Sequence, residues 1–235
     1  MKRILFILLA LALLFTVCAC EEVDFTATTP TTGEQEQTQQ PQDKEETEKN
    51  EETEETEDPI EIEHPLFVQF EMQNGDTFVV ELYPEYAPRT VVNFQNLVAE
   101  GFYDGLTFHR VIENFMIQGG CPNGDGTGSA ENTIKGEFAQ NGFAQNTLKH
   151  ERGVISMARS SAPNSASCQF FIVHKTTASL DGKYAAFGRV VEGMEVIDAI
   201  ASVPVKASPY STEKSKPEDP IVIKTVTFLE DYVAE

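Results

Sequence analysis

An abrupt change in composition near residue 63 limits the fold more than any other feature of this chain. Residues 21–63 hold 17 of the 38 Asp/Glu residues, 2 of the 17 Lys/Arg residues and almost no aliphatic side chains. A segment of this kind cannot bury enough apolar surface to offset the entropy that ordering removes, and its like charges repel one another. We therefore predict a disordered acidic tether over 21–63 and a single domain of about 170 residues over 64–235.

The stretch before the tether has the pattern of an export signal. A basic start, Met1–Arg3, is followed by an apolar run, Ile4–Val17, that is shorter than the roughly 20 residues of a membrane-spanning helix. The small residue Ala19 then precedes Cys20, as in a bacterial lipobox. We predict a lipoprotein signal peptide over 1–20, a lipid on Cys20, and an extracytoplasmic domain anchored to the cell membrane. An ordinary signal peptide that is cleaved nearby is the alternative.

Charge and motif spacing argue against several classes of function. The net charge of the chain is −21, and no basic patch favours a nucleic-acid partner. The glycine-rich GDGTG stretch lacks the Lys-Ser/Thr pair of a phosphate-binding loop. The four histidines have no metal-ligand spacing, and three serines that could serve as nucleophiles have no nucleophile-elbow context. These residues are His64, His109, His150 and His174, and Ser156, Ser165 and Ser167. We therefore predict neither a metal nor another cofactor.

Two cysteines, Cys121 and Cys168, lie within the predicted domain. Two separate thiols are the simpler interpretation. A disulfide between them, which an oxidising compartment would permit, is the alternative.

Short apolar strands with hairpin-length links dominate the domain. LFVQFEM and TFVVELY are separated by QNGD, whose Asn-Gly pair accepts the positive φ of a tight hairpin turn. Apolar periodicity predicts one helix from Pro88 to Gly101 and a second over GMEVIDAIASV. The further predicted strands are TFHRVI, FMIQGG, GVISMA, QFFIVH, AAFGRVV and PIVIKTVTFLE. This pattern predicts a mainly β fold, a closed eight-stranded antiparallel β-barrel capped by two α-helices.

Polar side chains interrupt the stretch FHRVIENFMIQGG, where a strand pattern favours Val or Ile. If Glu113–Phe115 forms a three-residue loop, Ile112 pairs with Met116 and Arg110 pairs with Gln118. The two-residue period of a strand then places the guanidinium beside the amide at the edge of an apolar patch, and directs His109 to the opposite face. A surface arginine paired with a surface glutamine is the alternative interpretation of this stretch.

Several motifs in order, FHRVIENFMIQGG, GDGTG, GVISMAR, NSASCQFFIV and LDGKYAAFGRVVEGM, resemble the cyclophilin-type peptidyl-prolyl cis-trans isomerases. The resemblance runs from about Leu66 to Glu230, and the stretches GGCPNGDGTG and HERGVISMAR are most similar to bacterial members. It implies an enzyme that catalyses rotation about Xaa-Pro bonds in polypeptides.

The resemblance also implies a set of site residues. It assigns catalysis to Arg110, Gln118 and Phe115. It assigns substrate binding to Met116, Gly126, Ala158, Arg159, Gln169, Phe171, Leu180 and Tyr184. Three positions depart from the pattern: Tyr184 replaces a His that is common in eukaryotic members, Arg159 replaces Asn, and Ser179 replaces Trp or Phe. Loss of that ring is predicted to weaken cyclosporin-type inhibitors more than catalysis.

We therefore expect a monomeric, lipid-anchored prolyl isomerase that assists the folding of exported proteins. Its partners would be proline-containing polypeptides, and the lipid would attach it to the membrane. Two alternatives from other classes remain at this point. One is a binding module that docks such polypeptides without turnover, and the other is a holdase-like chaperone that uses the acidic tether to stay soluble.

Overall fold

The computed structural model describes residues 60–208 and 212–233, which all lie within the unit Glu55–Glu235. Within them are two α-helices and ten strands. The helices are α1, Pro88–Ala99, and α2, Met194–Ala201. The strands are β1 Phe67–Met72, β2 Thr77–Leu82, β3 Arg110–Ile112, β4 Met116–Gly119, β5 Val154–Met157, β6 Phe170–Val173, β7 Ala186–Glu192, β8 Val205–Ala207, β9 Lys214–Pro217 and β10 Ile223–Phe228.

Eight of the strands form one antiparallel sheet in the order β10-β1-β2-β7-β5-β6-β4-β3. The predicted mainly β architecture with eight antiparallel strands and two helices is thus confirmed. The prediction that the barrel is closed is an overstatement, because β10 and β3 are the two edge strands of the sheet. A bridge between Thr107 and Val222, just outside those strands, joins their flanking segments. The sheet is therefore curled into a half-barrel.

Helix α1 packs against the main apolar core of the sheet. Pro88 occupies its first turn, where a missing N–H costs nothing, and Gly101 follows its end with φ +67°. The predicted apolar stripe is buried, and Phe94 packs against Phe170 and Phe187 with ring centroids 6.0 and 5.2 Å away. Burying one such side chain contributes about 1.5–3 kcal/mol, so this aromatic cluster is a main source of the stability of the fold.

The start of α1 is stabilised from a distant loop. Its first residue is preceded by Ala87, whose side chain cannot cap the free N–H groups. Glu137 accepts hydrogen bonds from the backbone N–H groups of Arg89 and Thr90 at 3.0 and 2.8 Å, and from the Thr90 hydroxyl at 2.7 Å. A carboxylate at a helix N-terminus also interacts favourably with the helix dipole. The loop that carries Glu137 is therefore fixed to the helix.

Alternate residues of the central strands pack on opposite sides of the sheet. Ile117 of β4, together with Phe170 and Ile172 of β6, belongs to the main core that α1 covers. Met116 of β4 and Phe171 of β6 belong to a second, smaller apolar cluster on the other side. This second cluster is where the cavity described below lies.

A small two-stranded sheet, β8–β9, was not predicted from the sequence. It follows α2, and β9 lies against β3 of the main sheet. Lys214, Lys216 and Pro217 within β9 disfavour a strand by composition. Its pairing with β8 and its contact with β3 stabilise it instead.

Cys121 and Cys168 are both buried free thiols, which confirms the simpler of the two interpretations. The Cys121 sulfur accepts hydrogen bonds from the backbone N–H groups of Gly126 and Gly128 at 3.2 and 3.3 Å, and thereby holds the glycine-rich loop. None of the helices in the described part of the chain is long and apolar enough to cross a membrane. The predicted signal peptide, the lipidation at Cys20 and nearly all of the predicted tether lie outside the described residues.

Candidate active site

The hairpin β3–β4 has the predicted register. Arg110 pairs with Gln118 and Ile112 pairs with Met116, so the connection is the expected three-residue loop. Asn114 lies at its tip with φ +60°, a conformation that Asn accepts more readily than most residues. The pairing places the guanidinium of Arg110 and the amide of Gln118 on the outer face of the sheet.

A chain of amide hydrogen bonds runs from Arg110 to the glycine-rich loop. Arg110 Nη1 donates to Gln118 Oε1 at 3.4 Å, and Gln118 Nε2 donates to Gln169 Oε1 at 2.9 Å. Gln169 Nε2 donates in turn to the carbonyl oxygens of Gly126 and Gly128, at 3.0 and 2.7 Å. The structure thereby brings together predicted site residues from the β3–β4 hairpin, the glycine-rich loop and the segment that leads into β6.

A cavity of about 140 Å³ opens beside this network. An apolar cavity of about 150 Å³ accommodates benzene, so the space suits a small apolar ring. Nine of the eleven predicted site residues line it: Arg110, Phe115, Met116, Gln118, Ala158, Arg159, Phe171, Leu180 and Tyr184. The other two, Gly126 and Gln169, line an adjoining cavity of about 250 Å³ that shares Gln118, Ala158 and Arg159 with the first.

The floor of the smaller cavity is buried and apolar. Met116 and Phe171 are 2 and 5% exposed, and both belong to the second apolar cluster. Tyr184 packs edge-on against Phe171 with ring centroids 5.6 Å apart. Phe115 and Leu180 are only partly buried and pack against the same cluster, so they form walls that a ligand can still contact.

Arg159 borders both cavities, but its side chain is engaged within the protein. Its Nε and Nη2 donate to the Lys183 carbonyl at 3.0 and 2.9 Å, and Nη1 donates to the Ser160 carbonyl at 2.9 Å. The guanidinium lies 4.9 Å from the ring centroids of both Phe138 and Tyr184. The side chain therefore fixes the cavity rim, and its backbone is the part best placed to contact a ligand.

Sequence reasoning missed one residue at the site, Glu213 of the segment that leads into β9. Arg110 Nε donates to Glu213 Oε1 at 2.8 Å and Arg110 Nη2 donates to Glu213 Oε2 at 3.0 Å, a bidentate ion pair. The Arg110 guanidinium lowers the pKa of the Glu213 carboxyl below its ordinary value. No motif in the sequence pointed to this contact, because the two residues are 103 positions apart and the hairpin was not predicted.

Behind the cavity, three side chains have the connectivity of a hydrolytic triad. His150 Nδ1 lies 3.1 Å from Asp181 Oδ1, and His150 Nε2 lies 3.1 Å from Ser156 Oγ. Ser156 is fully buried and His150 is 1% exposed, so no substrate can reach the hydroxyl. Burial lowers the pKa of His150, and the hydrogen bond and negative charge of Asp181 partly offset this lowering. The arrangement supports the segment that carries Leu180, and it does not support a hydrolase.

His109, the neighbour of Arg110 in sequence, is also buried. It is 9% exposed, and its Nδ1 has no hydrogen-bond partner among the described residues. Burial lowers the pKa of His109 to about 4, so the ring is neutral at neutral pH. The described residues contain no group of three or more His, Cys, Asp and Glu side chains that could hold a metal ion.

Comparison with known proteins gives one consistent family. The sequence model of the cyclophilin-type peptidyl-prolyl cis-trans isomerases matches residues 67–228, which span all of the main sheet and both helices. Peptidyl-prolyl cis-trans isomerase B of Bacillus subtilis is 49% identical over 126 residues, which are 54% of this chain and 84% of that protein. A peptidyl-prolyl cis-trans isomerase of Helicobacter pylori is 44% identical over 129 residues, or 54% of this chain and 76% of that protein.

Solved structures agree with this assignment. A cyclophilin-type peptidyl-prolyl cis-trans isomerase of Cryptosporidium parvum, crystallised in the presence of the dipeptide Ala-Pro, superposes with a TM-score of 0.61. It is 31% identical, and the match covers 70% of this chain and 99% of that one.

Proposed function

Because the chain belongs to the cyclophilin-type peptidyl-prolyl cis-trans isomerases, we propose that Arg110 catalyses rotation about Xaa-Pro bonds in the cavity beside β3 and β4. The chain is a peptidyl-prolyl isomerase, and its substrates are proline-containing peptides. The single observation that carries the assignment of the site is that Arg110, Gln118 and the apolar floor meet in one cavity.

The chemistry of the reaction suits this set of side chains. Rotation about an amide has a barrier of about 18–20 kcal/mol because resonance must be broken, and exchange of Xaa-Pro bonds takes tens to hundreds of seconds. No bond to carbon is formed or broken. The enzyme therefore needs only to bind the twisted amide more tightly than either planar isomer.

Arg110 is the group that can make this distinction. In the twisted state the prolyl nitrogen regains a lone pair and accepts a hydrogen bond, which the planar amide does not do. A guanidinium is always charged and presents several donors in a fixed plane. Met116 and Phe171 lie beside it and provide an apolar floor on which the proline ring can rest. The backbone beside Ala158 and Gln169 can hold the peptide on one side while the other side turns.

Exchange spectroscopy on an Xaa-Pro peptide tests this assignment. The wild-type chain is expected to accelerate isomerisation, and Arg110→Ala is expected to lower kcat/KM about 100-fold, the usual effect of losing one transition-state donor. Arg189→Ala is the matched control, because Arg189 of β7 pairs with Glu151 and lines neither of the two cavities. Equal rates for wild type and Arg110→Ala at the uncatalysed level would refute catalysis by Arg110 and leave a module that only binds such peptides.

We also propose that the enzyme acts on exported polypeptides at the outer face of the cell membrane, as a lipid-anchored monomer. The support is the sequence: a basic and then apolar N-terminal stretch, the small residue Ala19 before Cys20, and a long acidic stretch before the domain. A lipid at Cys20 would hold the domain near emerging chains, whose Xaa-Pro bonds must isomerise before they fold.

Lipid labelling tests the anchor separately from the activity. Cells that express the wild-type chain are expected to incorporate labelled fatty acid into it, and Cys20→Ala is expected to remain unlabelled and to leave the membrane fraction. Cys18→Ala is the matched control, because Cys18 is preceded by Val17 and fits the lipobox poorly. A wild-type chain that carries no label would refute lipidation.

A further inference from the structure

An acidic side chain contacts the proposed catalytic group directly. We propose that Glu213 is a positioning residue for isomerisation, which fixes the guanidinium of Arg110 in the orientation that serves the cavity. This inference rests on the proposed function of Arg110.

The geometry divides the donors of Arg110 into two sets. A guanidinium has five N–H groups. The Nε–H and one Nη2–H point to the two oxygens of Glu213, at 2.8 and 3.0 Å. One Nη1–H points to Gln118 Oε1 at 3.4 Å. Nη1 also donates to the sulfur of Met116 at 3.8 Å. Because Met116 belongs to the cavity floor, the Nη1 side of the guanidinium is the one nearest to a bound proline.

Without Glu213, the guanidinium would be held weakly. Its contact with Gln118 is longer than an ordinary N–H···O hydrogen bond, and about a third of the Arg110 side chain is exposed. A free arginine side chain has as much as about 2 kcal/mol of rotamer entropy. A bidentate pair with a carboxylate fixes both the plane and the rotation of the guanidinium, which a single long hydrogen bond cannot do.

Glu213 is itself held in place by the β8–β9 sheet. The Ser208 backbone N–H donates to the Glu213 carbonyl at 3.2 Å, across the two segments. The side chain of Ser215, which is 2% exposed, donates a hydrogen bond to the Glu213 carboxylate. Because β9 also lies against β3, the carboxylate and the guanidinium are carried on adjacent elements. This gives the small sheet, which lies outside the sequence motifs that indicated the family, a role at the site.

A competing outcome follows from the same contact. A carboxylate beside Arg110 also reduces the positive charge that the twisted prolyl nitrogen would meet. If charge mattered more than orientation, removal of Glu213 would accelerate the reaction. A lower kcat after removal of Glu213 would therefore indicate a positioning residue, and a higher kcat would indicate that its negative charge slows the reaction.

Three variants of the full chain test the proposal. Glu213→Ala is expected to lower kcat about tenfold and to change KM by less than about twofold, since substrate contacts are intact and only the orientation of Arg110 is lost. Glu213→Gln keeps one acceptor and the same volume, and is expected to recover part of the loss. Glu218→Ala, which removes an exposed carboxylate just after β9, is the matched control and is expected to behave as wild type.

Nuclear magnetic resonance of arginine side chains provides a second, activity-independent measurement. The Nε–Hε signal of Arg110, assigned by its loss in Arg110→Lys, is expected to exchange slowly with water in the wild type and at least tenfold faster in Glu213→Ala. Unchanged or increased kcat in Glu213→Ala would overturn the proposal, as would an unchanged exchange rate. Wild-type chain without any isomerase activity would instead refute the proposed function of the site, and the positioning role with it.

Discussion

The buried ring of His109 makes the stability of this domain depend on pH in a calculable way. Its pKa is about 4 in the folded protein against an ordinary value of 6.5. The folded-state pKa is the lower one, so between these values the unfolded chain binds more protons, and the free energy of unfolding falls as the pH falls through this window. Each pH unit contributes about 1.4 kcal/mol, so His109 alone removes about 3 kcal/mol of stability on acidification.

Urea unfolding at pH 7 and pH 4 measures this loss when the wild type is compared with His109→Gln. Carboxylates with lowered pKa values, such as Glu213, also lose stability in acid, but they do so in both proteins. The difference between the two proteins therefore isolates the imidazole. The wild type is expected to lose about 3 kcal/mol more than the variant between these pH values. Equal losses in both proteins would refute the argument that the ring is buried in its neutral form.

Three further predictions concern the helix start, the amide chain and the rim of the cavity. Glu137→Gln should lower the free energy of unfolding by about 1–2 kcal/mol, because it weakens the charged hydrogen bonds to the start of α1. Urea titration measures this loss, and an unchanged unfolding midpoint would contradict it. Gln169→Ala should lower kcat several-fold with little change in stability, because Gln118 loses the hydrogen bond that it donates to Gln169. A kcat of the variant equal to that of the wild type would contradict this. Ser179→Trp should bind a cyclosporin-type inhibitor more tightly than the wild type, as measured by calorimetry. Equal affinities would refute the prediction that the absence of an aromatic ring at position 179 weakens such inhibitors.

The hairpin β3–β4 shows why much of the site was predictable from sequence. A three-residue loop and the two-residue period of a strand fix the register, so local chemistry alone places Arg110 opposite Gln118. The order of the motifs then supplied the distant members, and the structure gathers them around two adjoining cavities. Their individual roles in catalysis and binding are still predictions.

Long-range contacts explain what the sequence did not reveal. The ion pair of Arg110 with Glu213 and the capping of α1 by Glu137 each join residues far apart in the chain. Neither leaves a local pattern, because a Glu in a polar segment has the same sequence signature whether it faces solvent or binds a distant partner. The β8–β9 sheet was missed for a related reason, since its strands are stabilised by their neighbours and not by their composition.

The division of β4 and β6 into two faces separates the mutations of these strands into two sets with different effects. Changes at Ile117, Phe170 or Ile172 act on the core and should cost stability whatever the substrate. Changes at Met116 or Phe171 act on the cavity floor on the opposite face. Selection can therefore adjust which proline-containing sequences the enzyme accepts by altering Met116 or Phe171, while the residues on the core face preserve the fold.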